Sequence, residues 1–202
     1  MPRATGQIDR AKNEAILDAA SDLIFERGLA APLDEVARRA GVSKQTIYNH
    51  YGSKGDLIRA LLERRSRTIS APLALEGAEA HPEETLAAYA ELLLRTVAID
   101  RGVALFRLLI ASAGQDPELA RSILPRGFGG ARAKLTDFLA REAEAGRLAI
   151  ADPAEAAELF AGMVVGSRQV EQLLGLPLNL TPARIDRIAR EAALRFVRAY
   201  AP

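Results

Sequence analysis

Apolar residues recur at intervals of three and four along most of this chain, and the strict alternation of a half-buried strand is nearly missing. Ile16, Ala19, Ala20, Leu23 and Ile24 make one stripe on a helix predicted near 9–27, and Gly28 suits its end. A short helix is predicted at 33–40 and closed by Gly41; Ser43 caps another at about 44–50, closed by Gly52. Ser53, with Asp56 in the first turn, starts a longer helix that turns Leu57, Ile58, Leu61 and Leu62 inward. Beyond about residue 70 the chain becomes Ala/Leu-rich, and helices are predicted near 83–99, 101–113, 117–124, 127–145, 153–174 and 182–200. Asp152-Pro153 and Thr181-Pro182 each set a capping side chain before a proline in the first helical position. The link 175–180 is short, so the last two helices are expected to be antiparallel neighbours. The expected fold class is all-α.

Composition narrows the chemistry. At 202 residues the chain can build one substantial core and a small satellite domain. No run of 18 apolar residues spans a membrane, and the N-terminus lacks the apolar stretch of a signal peptide, so a cytoplasmic protein is expected. Cysteine is absent, which excludes disulfides, Cys-ligated metals and thiol chemistry. The only histidines are His50 and His81, and there is no phosphate loop, metal-ligand spacing or Ser/His/Asp arrangement. No catalytic residue, metal or cofactor is therefore expected. The net charge of +1 divides into +3 over residues 1–67 and −2 over 68–202. That tilt agrees with a nucleic-acid surface near the N-terminus without establishing one.

The informative stretch runs from Leu33 to Tyr51. It reads as two short helices around a three-residue turn, with Gly41 for the turn and Ala37 and Ala40 small enough for close approach. Val36, Val42 and Ile47 supply the apolar faces. This is the spacing of a helix-turn-helix, whose second helix is laid into the major groove. On that helix Lys44, Gln45, Thr46, Tyr48, Asn49 and His50 crowd two turns, and none is acidic. Gln and Asn can pair with adenine, and Tyr or Thr can meet a thymine methyl. Lys54 can reach the backbone as a point charge, and Ser43 can offer a phosphate its hydroxyl or the helix N-terminus. Any solvated short helix is polar, however, and such helix pairs also occur in proteins that bind no DNA. Spacing alone leaves both readings open.

The pattern Ala37-x-x-Ala40-Gly41-Val42-Ser43-x-x-Thr46-Ile47-Tyr48-x-His50-Tyr51-x-Ser53-Lys54-x-x-Leu57 resembles the N-terminal signature of the TetR family of bacterial regulators. The resemblance covers about residues 10–62, including Ile16-Leu17-x-x-Ala20, Phe25 and Gly28. It implies a three-helix reader over 1–55, joined through a fourth helix to a helical effector-binding and dimerisation domain over 56–202. By matching position, Ser43, Tyr48, His50 and Lys54 would hold phosphates, Gln45, Thr46 and Asn49 would face bases, and Tyr51 would pack on the first helix. Two positions depart from the family: Pro32 replaces a common hydroxyl residue before the second helix, and Leu29 replaces a common aromatic.

The C-terminal part resembles the family in architecture, and the junction Gly146-Arg147-Leu148 … Asp152-Pro153 is similar to the AefR-like branch. The resemblance implies a homodimer built on the last two helices, with Leu159, Met163, Val170, Ile185, Ile188, Ala192 and Phe196 as interface residues. Gly162-x-x-x-Gly166 would let a second backbone come close. Those stripes would serve the chain's own core equally well. A small, hydrophobic effector is expected between helices 4 and 8, against Tyr89, Leu93, Phe106, Leu109, Ile110, Phe138 and Met163. Arg107 interrupts an apolar run and would meet an acidic ligand group, or else face solvent or a structural carboxylate. The implied function is a transcription regulator, commonly a repressor, that binds a pseudo-palindromic double-stranded operator. The competing classes are an enzyme, for which no residues are found, and a helical interaction protein that keeps the fold as a scaffold.

Overall fold

The computed structural model describes residues 10–28, 31–98, 100–113 and 129–202, and no strand occurs among them. The helices are α1 (Arg10–Arg27), α2 (Leu33–Ala40), α3 (Lys44–Tyr51), α4 (Lys54–Ser70), α5 (Pro82–Val97), α6 (Asp100–Ala113), α7 (Gly129–Glu144), α8 (Pro153–Val165), α9 (Arg168–Leu173) and α10 (Pro182–Ala199). Two 3₁₀ turns, Ala71–Ala74 and Ala78–Ala80, join α4 to α5. The helix expected at 117–124, like Leu29, lies outside the described residues.

The caps explain several of these boundaries. The Ser53 hydroxyl accepts from the Asp56 N–H at 3.1 Å, and the Asp152 carboxylate accepts from Ala154 and Glu155 at 2.9 and 3.1 Å. Thr181 accepts from Arg184 at 3.3 Å. Each satisfies a donor that a helix start otherwise leaves unpaired. One expectation needs correction: the single helix over 153–174 is two helices. Gly166 stands at φ 53°, ψ −138°, outside the helical region, so α8 ends there and α9 restarts after Ser167. Gly166 is thus a stop rather than a packing notch.

Burial gathers the apolar stripes into two cores that share α4. The first joins Ile16, Leu17, Leu23 and Ile24 of α1 to Val36, Ile47 and the Leu57–Leu62 stretch of α4. The second takes Ile69 from the other end of α4 and adds Leu86, Leu94, Leu135, Phe138, Phe160 and Phe196. α6 crosses between them. Its Leu105 is buried in the first core, and Leu108 lies against Gly28 at the end of α1, 3.4 Å from where a Cβ would stand. α10 packs on α5 and α8. The segment between α7 and α8 is tied down by the Ala149 N–H, which donates to the Tyr200 carbonyl at 2.7 Å. Beside it Arg147 forks onto the fully buried Glu142 carboxylate at 2.8 and 2.9 Å. A buried carboxylate is tolerated only with such a partner.

Candidate functional site

α3 is set by its two ends and one buried residue. Gly41, at φ 66° and ψ 31°, reverses the chain after α2, and the Val42 N–H bonds back to the Ala37 carbonyl at 3.0 Å. Ser43 then caps α3, accepting from the Thr46 N–H at 3.0 Å. Ile47 is fully buried and is the only α3 residue to be so. The Tyr51 hydroxyl donates to Asn13 Oδ1 on α1 at 2.6 Å, as packing on the first helix requires. Burial pushes that phenol up to about 12.

With Ile47 inward and each residue turned by about 100° from the last, the outward surface of α3 acquires a definite order. Gln45 and Asn49 form the crest; Lys44 and Tyr48 take one flank, Thr46 and His50 the other. Ser43, Lys44, Gln45, Tyr48, Asn49 and His50 are exposed and Thr46 is half-buried. Gln45 Nε2 donates to Asn49 Oδ1 at 2.6 Å, so the two amides already form one hydrogen-bonding unit. The rest of that unit, a carbonyl oxygen and an amide group, matches the paired acceptor and donor of a base edge in the major groove. His50 stacks edge-on against Tyr51, with ring centroids 4.6 Å apart. The Ser43 and Thr46 hydroxyls lie 2.8 Å apart and satisfy each other.

Two cations proposed for DNA are already engaged. Lys44 Nζ lies 2.7 Å from the Asp34 carboxylate, whose hydrogen bond raises the ammonium pKa, and 5.8 Å from the Tyr48 ring centroid. Lys54 donates to the Ala31 carbonyl, and burial lowers its pKa. It ties the start of α4 to the segment before α2, and an ammonium keeps further donors beyond that bond. Asp34 and Asn13, which place Lys44 and Tyr51, were not anticipated from the sequence. Asp34 carried only the signal of an acid in a first helical turn; Asn13 carried none. Pro32 is the N-cap of α2 and not its first helical residue, and no side chain caps that helix.

The sensor candidates scatter. Tyr89 and Phe138 are closed into the second core. Leu93 packs at its edge, and Ile110 faces solvent. The side chain of Leu109 lies outside the described set. The Arg107 Nε and Nη2 donate to the Leu173 and Gln172 carbonyls at 2.8 and 2.6 Å, capping α9. Only Phe106 lines a recess toward α4, beside Arg65. The interface candidates divide as sharply. Ile185, Ala192 and Phe196 are buried in the chain's own core, because α10 turns its apolar stripe onto α5 and α8. They are corrected to core residues. Ile188 is half-buried, while Leu159, Met163 and Val170 are exposed, and no atom lies within 4 Å of a Cβ built on Gly162.

Comparison with known proteins bears on this arrangement. The family model described as bacterial regulatory proteins, tetR family, matches residues 16–61. The model described as AefR-like transcriptional repressor, C-terminal domain, matches residues 84–202. The flavonoid-responsive regulator FrrA is 32% identical, with a TM-score of 0.69 over 95% of this chain and 97% of that one. A TetR transcriptional regulator from Agrobacterium tumefaciens is 26% identical, with a TM-score of 0.75 over 96% of each chain. The HTH-type transcriptional activator FasR of Mycolicibacterium smegmatis is 50% identical over 50 residues, which are 24% of this chain and 23% of that protein. This likeness therefore spans about a quarter of that relative's length. With an N-terminal helix-turn-helix and an AefR-like helical domain behind it, the chain belongs to the TetR family of bacterial transcription regulators.

Proposed function

We propose that the chain is an effector-responsive repressor that binds a pseudo-palindromic operator as a homodimer, with 1–55 as its reader and 56–202 as its effector and dimer unit. The observation that carries this is the acid-free surface of α3, where a Gln45–Asn49 crest stands between donor-bearing flanks. Gln45, Thr46 and Asn49 read bases; Ser43, Lys44, Tyr48, His50 and Lys54 hold phosphates. Lys44 exchanges Asp34 for a phosphate on binding, so its contact gains less than a solvent-free cation would give. A core of a protein–protein interface would instead favour apolar anchors on α3.

The partner subunit docks on the outer face of α8, where Leu159 and Met163 are exposed beside Ile188 of α10, with Val170 of α9 extending the surface. Repression follows the description of the matched C-terminal model; FasR, similar over 50 residues, is named an activator. The name of FrrA supports a small-molecule effector. An operator-binding role places the chain in the cytoplasm. Effector and operator oppose each other by population shift, a coupling of about 1–3 kcal/mol, or about 5–150-fold in affinity. Both α4 and α6 touch the reader core and transmit it.

Selection of bound duplexes from a random pool, at two salt concentrations, tests the proposal. The wild type is expected to recover a palindromic site, with affinity falling steeply as salt rises, and Tyr48→Ala to lose it. No enrichment at low salt by folded protein would leave the helix-turn-helix as a scaffold.

A further inference from the structure

We infer that Asp34 of α2 reads a cytosine in the operator: as Lys44 passes to a phosphate, the released carboxylate accepts a hydrogen bond from the cytosine amino group. The inference rests on the operator-binding reading above and adds a base contact from outside α3. α3 carries no acid of its own, but Asp34 brings a carboxylate to its N-terminal flank, 2.7 Å from Lys44 Nζ. Lys44 is the first residue of α3, at the end of a recognition helix that reaches base edges. On α2 the residues Leu33, Val36 and Ala37 are buried, while the Asp34 side chain is 63% exposed. Other acids near α3 are held differently. Glu35 is engaged by Arg27 and Arg38 at 2.7 and 3.1 Å, and Asp56 by Arg59. Those arginines are not phosphate contacts in the reading above, so Glu35 and Asp56 keep their partners when DNA binds. Asp34 is paired with a cation that the DNA backbone claims.

Losing that cation leaves a carboxylate beside the groove, and the bases differ in what they offer it. Guanine presents two acceptors, thymine an acceptor and a methyl group, and adenine a donor beside an acceptor. Cytosine presents an amino donor alone. An ionised carboxylate accepts at both oxygens and donates nothing, so cytosine is the base it fits. Opposite guanine or thymine the unpaired anion weakens binding, and Asp34 selects by exclusion as much as by attraction. Non-operator duplexes are disfavoured as well, because their binding rests on phosphate contacts and Asp34 competes for Lys44.

Selection of bound duplexes with the wild type, Asp34→Ala and Asp34→Asn locates the contact. Competition binding on an operator whose cytosine is replaced by 2-pyrimidinone, which lacks the amino group, then tests it. The wild type is expected to prefer cytosine at one position of each half-site by about 5–20-fold, the lower part of the range of a specific base contact, and to lose the same factor on 2-pyrimidinone. Asp34→Ala is expected to erase the preference at that position alone and to raise affinity for non-operator duplex by about 2–5-fold, the scale of an exposed ion pair. Asp34→Asn, whose amide adds a donor, is expected to accept adenine there. Melting temperatures check that each variant is folded. A cytosine preference that survives in Asp34→Ala, or equal affinity of the wild type for the two duplexes, would overturn the base contact and leave the operator-binding reading standing. Failure of the folded wild type to enrich any site would count against that reading and take the base contact with it.

Discussion

α3 and α10 use their sequences in opposite ways. The eight residues of α3 bury one side chain, Ile47, and, Thr46 and Tyr51 apart, leave the others exposed. The 18 residues of α10 bury Ile185, Ala189, Ala192, Ala193 and Phe196 in their own chain, and their outward side chains include Arg184, Arg187, Arg190 and Arg195. A short helix that gives the core a single anchor can only display its other residues, so its function is written in their identities. A long amphipathic helix has an apolar stripe that could serve core or partner, and the pattern is identical in both cases. The partner face proposed above lies on α8, where Leu159 and Met163 remain outside.

The largest test of that contrast is Phe196→Ala. Phe196 packs on Phe160 and Tyr200 at ring centroid distances of 5.0 and 4.7 Å, so truncation is expected to remove about 3–5 kcal/mol in urea unfolding. The loss should be the same at two protein concentrations. A loss that grows on dilution would return Phe196 to the interface. Next in size is the pair Leu159→Glu and Met163→Glu. Their charges should weaken dimer association by about 2 kcal/mol or more in sedimentation, with little change in monomer folding. A dimer that persists would move the interface off α8. On α3, Asn49→Ala is expected to relax one operator position by about 1–3 kcal/mol in competition binding while the melting temperature holds. A uniform loss over all sequences would make Asn49 a phosphate contact.

The smallest effect is a slope in pH. The Asp56 carboxylate is held below its usual range by the Ser53 hydroxyl and then by Arg59. A group with a depressed folded pKa contributes stability above its unfolded value, about pH 4, and that contribution is lost as pH falls through the folded value. Asp56→Asn should therefore flatten the acid limb of the stability curve below about pH 4, read by thermal melts. An unchanged limb would show that the cap of α4 does not depend on the charge.

Much of the reader was legible because its determinants are local. Ser43, Ser53 and Gly41 act on residues within five positions, so helix starts and stops near α2, α3 and α4 could be read off the chain. The engagement of Lys44 by Asp34 and of Lys54 by Ala31 was not legible, since each pairs residues ten or more positions apart across a turn. In the sensor half Arg107 drew attention by interrupting an apolar run. Arg65 did not, because a cation beside Arg64 in α4 looks like any solvated face. Glu142 likewise gave no sign that it would be buried beneath Arg147.

The all-α class, the limits of the reader helices and the side chains displayed on α3 follow from the order of residues alone, because hydrogen bonds between near neighbours and one buried anchor suffice for these. Packing between distant helices settles that Gly166 breaks the long helix, that α10 turns its apolar stripe inward, and that Arg107 caps α9 while Arg65 lines the recess. Each of these depends on which helix lies opposite, and helical periodicity shows which residues share a face without showing what that face meets.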